Sequence, residues 1–302
     1  MNKIRMIVAG IGASALLLAG CSNHDPLAEP TQEPDSSEAI VIGSQQYYSN
    51  EIIAELYAQS LEDAGETVER QYQIGQREVY LPELESGAID VIPEYSGNLM
   101  QYLDKDASAS DPDGIEQAVS DSLPEGLRVL PAAEARDQDS YVVTRAFADE
   151  HQLTSIGDLT KVGPVQLAAN SEFETRPYGP TGAKEIYGVE VTVVPVEDSG
   201  GPLTVKALTE GKAQVADIYS SDPAIKAHDL VALDDPEGMI LPQQVMPVVS
   251  DAVNDDAADA ITRVNEKLTT EQLIELNRRS VDEQLKSKDI AEQWLKEQGI
   301  VD

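Results

Sequence analysis

The sequence predicts an α/β protein of two lobes, each a mainly parallel sheet flanked by helices. Strand-like and helix-like segments alternate along most of its 302 residues, which is typical of βαβ units. One helix–turn–strand unit also occurs twice, ending in "AIDVIPEYSG" at 88–97 and in "KAQVADIYSS" at 212–221. Both copies share the spacing Leu, two residues, Gly, three, Val, three, Tyr-Ser. The second copy predicts a second lobe built on the same plan.

The chain begins with a segment that is typical of a lipoprotein signal peptide. Lys3 and Arg5 precede an apolar stretch at 6–19, and small residues lead from it to Cys21. The ending Leu-Ala-Gly-Cys resembles a bacterial lipobox, so we expect cleavage after residue 20 and lipidation of Cys21, with palmitate among the acyl chains. A transmembrane anchor is the alternative, but it needs about 18 or more apolar residues.

Residues 1–20 are thus the predicted signal peptide, and residues 21–38 are the predicted lipidated tether. The tether is polar and rich in proline, serine and acidic residues, a composition that favours a flexible chain. No later apolar run is long enough to span a bilayer. We therefore expect the rest of the chain to be soluble and held by its lipid at the extracytoplasmic face of the cell membrane.

Composition excludes several classes of protein. With 55 acidic and 21 basic residues, the net charge is −34, and nucleic acid requires a basic surface. The acidic excess favours either solubility or the long-range attraction of cationic ligands. Cys21 is the only cysteine, so the rest of the chain has no disulfide and no thiolate site. The 11 tyrosines against 2 phenylalanines favour a wet binding cleft, because a phenol combines a ring face with a polar tip.

The first predicted lobe begins with "AIVIGS" at 39–44, a short apolar run typical of a buried strand. The segment "NEIIAELYAQSLEDAG" has apolar residues at helical spacing, with Asn50 as its expected N-cap and Gly65 as its C-cap. "TVERQYQI" is the next strand, and a helix at 76–86 leads to the strand that carries Tyr95.

The second predicted lobe repeats this order. "VQLAAN" at 165–170 is a strand, "TGAKEIYG" a short helix and "VEVTVVPV" another strand. The helix "GPLTVKALTEG" then leads to the strand that carries Tyr219. Residues 256–298 have the pattern of three amphipathic helices, with Gly299 as the final stop.

Two extended stretches, at 137–147 and 241–253, are the expected crossovers between the lobes. They predict that lobe 1 comprises 39–140 together with 246–302 and that lobe 2 comprises 141–245. Chains of this length commonly form one large domain or two medium ones.

Three tyrosines fall where a ligand would bind on such a fold. In open parallel sheets, ligands lie beyond the carboxyl ends of the strands. Tyr95 and Tyr219 each lie near the end of such a strand, one in each lobe, and Tyr141 follows the first crossover. We therefore expect the three rings to face a cleft between the lobes. The alternative is that the rings only cap the strand ends.

Several segments carry a resemblance to a known family. They are "VIGSQQYYSNEIIAELYAQSLEDAG", "GQREVYLPELESGAIDVIPEYSG", "DQDSYVV", "EFETRPYG" and "VADIYSSDPAI". Together they resemble the substrate-binding proteins of osmoprotectant ABC transporters, which bind glycine betaine, choline or carnitine. The resemblance covers nearly all of residues 39–302, and "PEYSG" is close to the Pro-Glu-Tyr-Thr-Gly of that family. It implies a type II periplasmic-binding-protein fold that closes over its ligand.

The resemblance also implies an aromatic cage for a quaternary ammonium group. Such a group has no N–H to donate, and ring faces within about 6 Å attract it. Tyr95, Tyr141 and Tyr219 fall on matching family positions and are the expected cage. Tyr47 is the expected fourth wall, and its neighbour Tyr48 is the alternative.

Three polar residues complete the site that the resemblance implies. Arg176 matches the carboxylate-binding arginine of the family, and its planar fork can hold two oxygens; the alternative is a surface arginine paired with Glu172 or Glu174. Asn98, where the family often has threonine, is expected to donate a hydrogen bond. Asp139 either contacts the cation or braces the hinge, and the brace is the favoured role.

Two departures from the family leave the ligand open. Val205 stands where many relatives have a further aromatic residue. The segment "DSGGPLT" adds a Gly-Gly turn, which either cradles a carboxylate on its free N–H groups or is an ordinary tight turn. We expect a quaternary ammonium osmolyte such as glycine betaine; the alternative is a non-quaternary zwitterion such as proline or another amino acid.

Other chemistries have little support in the sequence. His24, His151 and His228 are scattered without metal-ligand spacing, and there is no Walker-type phosphate loop. "SGG" at 199–201 lacks the flanks of a nucleophile elbow. We therefore expect no metal, no cofactor and no catalysis, but a monomeric receptor that delivers its ligand to ABC permease subunits. An enzyme on the same scaffold and a ligand-sensing lipoprotein are the alternatives.

Overall fold

The computed structural model describes residues 39–302. The predicted signal peptide at 1–20, the lipidation of Cys21 and the tether at 21–38 lie outside the described residues. Within 39–302, no helix is both long enough and apolar enough to cross a membrane.

Ten strands form two sheets, and eleven helices flank them in the described part of the chain. The strands are β1 (Ile40–Gly43), β2 (Val68–Gln71), β3 (Val91–Tyr95), β4 (Leu127–Val129), β5 (Tyr141–Thr144), β6 (Val165–Ala169), β7 (Val191–Pro195), β8 (Val215–Asp217), β9 (Leu230–Ala232) and β10 (Val245–Ser250). The helices are α1 (Tyr48–Asp63), α2 (Arg77–Glu85), α3 (Ser96–Leu103), α4 (Pro112–Ser122), α5 (Arg145–His151), α6 (Pro180–Tyr187), α7 (Pro202–Thr209), α8 (Ala224–Ala227), α9 (Asp255–Asn265), α10 (Thr270–Asp282) and α11 (Ser287–Gln298). Two short 3-10 helices lie at Ile156–Lys161 and Ser171–Thr175.

The two sheets have the same mixed topology. Their strand orders are β2-β1-β3-β10-β4 and β7-β6-β8-β5-β9. In the first, β1 runs parallel to β2 and β3, whereas β10 runs antiparallel to its two neighbours. In the second, β6 runs parallel to β7 and β8, and β5 is the antiparallel strand. Four strands of each sheet point the same way, as the predicted mainly parallel sheets require. The exceptions are β10 and β5, because each enters directly from the other sheet without a crossover helix.

The first sheet with its flanking helices is lobe 1, and the second sheet with its helices is lobe 2. The residue limits predicted for the lobes remain predictions. In lobe 1, alternate residues of one strand face opposite layers of helices, as the pleat of a strand requires. Val91 packs in the cluster that contains α1, α9 and α11 side chains, whereas Ile92 packs with side chains of α2, α3 and α4.

Helix α1 is the central element of lobe 1. Ile53, Leu56 and Tyr57 are completely buried, and the helix packs against α9, α10 and α11. Gly65 follows the helix at a φ of +96°, in the left-handed region, as its predicted capping role requires. The prediction for Asn50 is wrong, because α1 already begins at Tyr48. Asn50 instead lies within the helix, where its side chain accepts from Gln45 N and donates to Pro93 O.

The repeated sequence unit corresponds to α2–β3 in lobe 1 and α7–β8 in lobe 2. A glycine follows the helix in both copies, Gly87 at a φ of +75° and Gly211 at +72°. This left-handed backbone is readily adopted only by glycine, so the repeated spacing reflects the same turn. Both units therefore bring a tyrosine to the same edge of their sheets.

The two crossovers run side by side between the lobes. Arg136 and Gln244 form an isolated antiparallel bridge, and Asp137 N donates to Gln243 O at 3.1 Å. The first crossover is shorter than predicted, because Thr144 caps α5, which begins at Arg145. The three predicted C-terminal helices are present as α9, α10 and α11, and Gly299 follows the last of them at a φ of +67°.

Candidate ligand-binding site

A cleft lies where the carboxyl end of β3 in lobe 1 faces that of β8 in lobe 2. Side chains from both lobes and from the first crossover line it: Tyr47, Gln76, Arg77, Tyr95, Asn98, Asp137, Asp139, Asn170, Glu172, Phe173, Arg176, Tyr178, Asp217 and Tyr219. Of the seven site residues named from the sequence, six are in this set, and Tyr141 is not.

Three tyrosine rings form one wall of the cleft. Tyr47 precedes α1, Tyr95 ends β3, and Tyr219 follows β8 from the opposite lobe. The Tyr47 ring centroid is 6.4 Å from that of Tyr95 and 5.1 Å from that of Tyr219. Tyr48 does not line the cleft; its hydroxyl donates to Asp222 Oδ2 across the lobes at 2.9 Å. The wall thus joins two rings of lobe 1 to one ring of lobe 2.

Tyr141 belongs to the core of lobe 2 instead of the cleft. Its side chain is only 1% exposed, its ring lies 5.9 Å from that of Phe173, and its hydroxyl donates to Tyr178 O at 2.8 Å. Phe173 and Tyr178 themselves line the cleft, with their rings 5.7 Å apart. Tyr141 therefore supports two aromatic residues that sequence reasoning missed, although both stand in the quoted segment "EFETRPYG".

Three aspartates line the cleft with their side chains buried. Asp137, Asp139 and Asp217 are 5%, 7% and 6% exposed. In residues 39–302 none of them forms an ion pair with a lysine or arginine. They accept neutral hydrogen bonds instead: Asp137 from Ser221 N at 3.0 Å, Asp139 from Asn98 Nδ2 at 2.8 Å and Asp217 from Ser140 N at 3.2 Å.

This unpaired burial raises the pKa of two of the carboxyl groups, those of Asp137 and Asp217. Burial raises the pKa of Asp137 to about 7, against the opposing hydrogen bonds from Ser221. Burial, followed by the negative charge of the adjacent Asp139, raises the pKa of Asp217 well above its usual range. Buried carboxylates without a counter-charge favour the protonated form. A cation in the cleft would therefore stabilise the ionised form of these groups.

Two arginines border another part of the cleft, near the ring of Tyr178. Arg77 binds the completely buried Glu94 through two parallel hydrogen bonds, Nε to Oε1 at 2.8 Å and Nη2 to Oε2 at 2.7 Å. Arg176 lies in lobe 2, and its Nη1 reaches Glu78 Oε1 of lobe 1 at 2.8 Å. The partner of Arg176 is therefore neither Glu172 nor Glu174. No sequence pattern distinguishes Arg77 from other helical arginines.

The Gly-Gly turn is a junction between the lobes. Gly200 has a φ of +76°, and a Cβ there would lie 3.1 Å from Asp217 O, so glycine lets the turn pack against the end of β8. Gln76 Nε2 of lobe 1 donates to Ser199 Oγ at 3.2 Å. The N–H of Leu203, at the start of α7, is taken by Asp198 Oδ2 at 2.6 Å. Asp198 thus occupies the position that a ligand carboxylate would need.

Val205 lies on α7 and is 5% exposed. It packs in a core cluster of lobe 2 that also contains Ala216 of β8. It does not line the cleft. The departure noted at this position therefore concerns a residue outside the wall formed by Tyr47, Tyr95 and Tyr219.

Taken together, the cleft combines ring faces and buried carboxyl groups with two guanidinium groups. The first two attract a cation and the last attracts an anion, so the site suits a small cation or a zwitterion. Within residues 39–302, no group of three or more acidic, histidine or cysteine side chains is arranged to hold a metal ion. The two sheets, the paired crossovers and the cleft between them define a two-lobed substrate-binding protein.

Comparison with known proteins identifies the family. Residues 38–297 match the family described as the substrate binding domain of ABC-type glycine betaine transport systems, and the chain belongs to that family. The glycine betaine-binding protein YehZ of Escherichia coli K12 is 26% identical over 280 residues, which cover 87% of this chain and 92% of YehZ.

Solved structures confirm the predicted fold class. The structure of a glycine betaine/carnitine/choline ABC transporter protein aligns with a TM-score of 0.70 at 22% identity. The alignment covers 87% of this chain and 100% of the other chain. Lactococcal OpuAC, in its closed conformation with glycine betaine, aligns with a TM-score of 0.60 at 14% identity over 87% of this chain and 96% of its own. At these identities the likeness establishes the type II periplasmic-binding-protein fold.

Proposed function

We propose that this protein is the extracytoplasmic receptor of an ABC importer and that it binds a quaternary ammonium osmolyte such as glycine betaine between its lobes. The observation that carries the proposal is the combination of three tyrosine rings with three buried, unpaired aspartates in a single cleft. Buried carboxylates are costly without a counter-charge, and a cationic ligand supplies one.

The cation would bind against Tyr47, Tyr95 and Tyr219. A trimethylammonium group spreads its charge over methyl groups, so ring faces suit it better than hydrogen-bond acceptors do. Each ring contact contributes about 0.5–2 kcal/mol. Asp137, whose charge acts on both Tyr47 and Tyr95, adds a long-range attraction without needing a direct hydrogen bond.

The carboxylate of a betaine would bind at the arginine part of the cleft. Arg77 keeps Nε and Nη2 on Glu94, which fixes its guanidinium group in a buried position. Arg176 comes from lobe 2, so a ligand that contacts both it and the tyrosine wall joins the two lobes. Asn98 binds Asp139 and Gln243, and in this proposal it holds the Asp139 carboxyl group in place at the hinge.

A ligand that contacts both lobes favours the closed state, because it makes both sets of contacts only in that state. The paired crossovers would act as the hinge of this closure. Direct interlobe contacts support the same closure. Tyr48 donates to Asp222, Gln76 donates to Ser199, and Arg176 pairs with Glu78. The closed form would then be recognised by the permease in the membrane.

The remaining assignments follow from the same proposal. Lipidation of Cys21 would anchor a monomeric receptor at the outer face of the cell membrane, and the tether at 21–38 would let it reach the ABC permease subunits. The protein would bind and release its ligand unchanged, without a catalytic step. The lobe limits of 39–140 with 246–302 and of 141–245 would make the crossovers its hinge.

One observation favours a second class of ligand. Asp137, Asp139 and Asp217 offer hydrogen-bond acceptors that a trimethylammonium group cannot use, whereas a protonated amine donates N–H bonds to them. A zwitterion with N–H groups, such as proline or another amino acid, is therefore the alternative ligand.

Calorimetric titration of the purified protein with glycine betaine, choline, carnitine and proline tests the proposal. We expect at least one trimethylammonium compound to bind with a dissociation constant below about 1 mM and more tightly than proline. Tighter binding of proline would replace the proposed ligand by the alternative. The absence of binding by all four compounds would contradict both.

A further inference from the structure

An ion pair crosses the mouth of the cleft from one lobe to the other. Arg176 Nη1 lies 2.8 Å from Glu78 Oε1, and Nη2 lies 3.4 Å from Oε2, so the guanidinium fork faces the carboxylate with both donors. Glu78 stands in the first turn of α2 in lobe 1, and Arg176 follows the 3-10 helix Ser171–Thr175 in lobe 2. Arg176 lines the cleft, whereas Glu78 is outside the set of lining residues.

The two arginines of the cleft differ in how firmly they are held. Glu94, the partner of Arg77, is completely buried and also accepts from Tyr80 Oη and Tyr95 N. The Glu78 side chain is 47% exposed, and in residues 39–302 Arg176 is its one ion-pair partner. Glu78 can therefore turn into water at little cost, while Glu94 cannot. Arg176 is the guanidinium group of the cleft that can exchange its partner.

We propose that Glu78 competes with the carboxylate of the ligand for Arg176 and thereby lowers the affinity for ligands that carry a carboxylate, relative to those that carry only the cation. The inference rests on the proposed function, because it takes the ligand to lie against Arg176. Glu78 presents the same charge and the same pair of oxygens as a betaine, and it is attached to the protein at a high local concentration.

Glu78 also has a second effect, which acts on all ligands alike. Because the ion pair joins the lobes, its loss weakens closure whether or not the ligand has a carboxylate. The two effects can be separated with two ligands that carry the same cationic group, only one of which also carries a carboxylate. Glycine betaine and choline are such a pair, since both carry a trimethylammonium group and only the former carries a carboxylate. The ratio of their dissociation constants cancels the effect on closure.

Calorimetric titration of Glu78→Gln and Glu78→Ala with these two compounds tests the competition. Glu85→Gln is the matched control, because it removes the same charge from the same helix at an exposed position without a described ion pair. We expect both Glu78 variants to shift the ratio about threefold to tenfold in favour of glycine betaine. We expect the control to leave the ratio unchanged.

Equal ratios in wild type, Glu78→Gln and Glu85→Gln, with both compounds bound, would overturn the competition and leave the proposed function in place. A shift in favour of choline would also overturn it, because it would mean that Glu78 assists carboxylate binding. Wild-type protein that binds neither of these compounds nor carnitine would overturn the proposed function, and the role of Glu78 with it, before any variant is compared.

Discussion

Replacing Asp137 by asparagine is expected to stabilise the ligand-free protein at neutral and alkaline pH. The Asp137 carboxyl group is 5% exposed and accepts from Ser221 N at 3.0 Å. The asparagine oxygen can accept the same hydrogen bond, and its NH₂ group can face Ser49 Oγ, which lies 3.5 Å from Asp137 Oδ2. The substitution therefore removes a buried charge while it keeps the shape of the side chain.

The size of the effect follows from the pKa of Asp137, which burial raises from 3.8 to about 7. Between these pH values the folded protein holds a proton that the unfolded chain has lost. The free energy of unfolding therefore falls by about 1.4 kcal/mol per pH unit as the pH rises through this range. The accumulated cost is up to about 4 kcal/mol above pH 7, and it disappears below pH 4.

Urea unfolding of wild type and Asp137→Asn at pH 5, 6, 7 and 8 measures this cost. We expect the variant to be more stable at pH 8, with an advantage that shrinks as the pH is lowered. Asp259→Asn, an exposed change of the same charge on α9, is the control and should show no such pH dependence. Parallel stability curves for wild type and Asp137→Asn would refute the reasoning.

Two further predictions concern the ligand. Tyr219→Ala is expected to weaken binding of a trimethylammonium ligand about five- to thirtyfold, because it removes one of the three rings. Tyr219→Phe keeps the ring, so its affinity should be within about threefold of that of wild type. Calorimetry measures both, and equal binding by Tyr219→Ala would mean that the ring does not contact the ligand. Affinity for choline is expected to fall about tenfold or more between pH 8 and pH 5, because Asp137, whose pKa burial raises to about 7, takes up a proton as the pH drops and loses the charge that attracts the cation. A flat affinity across this range would contradict this prediction, because it would mean that binding does not change the protonation of Asp137.

Much of the fold follows from local patterns. Apolar spacing, the glycines after α1 and α11 and the repeated helix–turn–strand unit predict the elements and the division into two sheets. The antiparallel direction of β5 and β10 does not follow from the alternation of strands and helices. It follows from the two predicted crossovers, because each of these strands enters its sheet from the other lobe.

The site was predictable where it follows from the fold. Tyr95 and Tyr219 could be named because parallel strands bring their carboxyl ends to one edge. Tyr141 lies near the same edge, paired with Asp217 in the sheet, but Phe173 and Tyr178 line the cleft in its place. A sheet position does not reveal which rings of a neighbouring loop will cover it.

The charged residues of the cleft were the least predictable. Asp137 and Asp217 are two of 55 acidic residues, and only the three-dimensional packing distinguishes them from those on the surface. Arg77 was missed for the same reason. The partner of Arg176 could not be predicted because Glu78 lies 98 residues away in sequence, on the other lobe.

The most direct test of a site built for a quaternary cation is a titration with choline and with its neutral analogue 3,3-dimethyl-1-butanol. The analogue has nearly the same shape, but a carbon atom replaces the charged nitrogen. We expect choline to bind with a dissociation constant below about 1 mM and the analogue to bind at least about thirtyfold more weakly, because the rings and the buried aspartates attract the charge. Equal affinity for the two compounds would contradict the account, and so would the failure of choline, glycine betaine and carnitine all to bind.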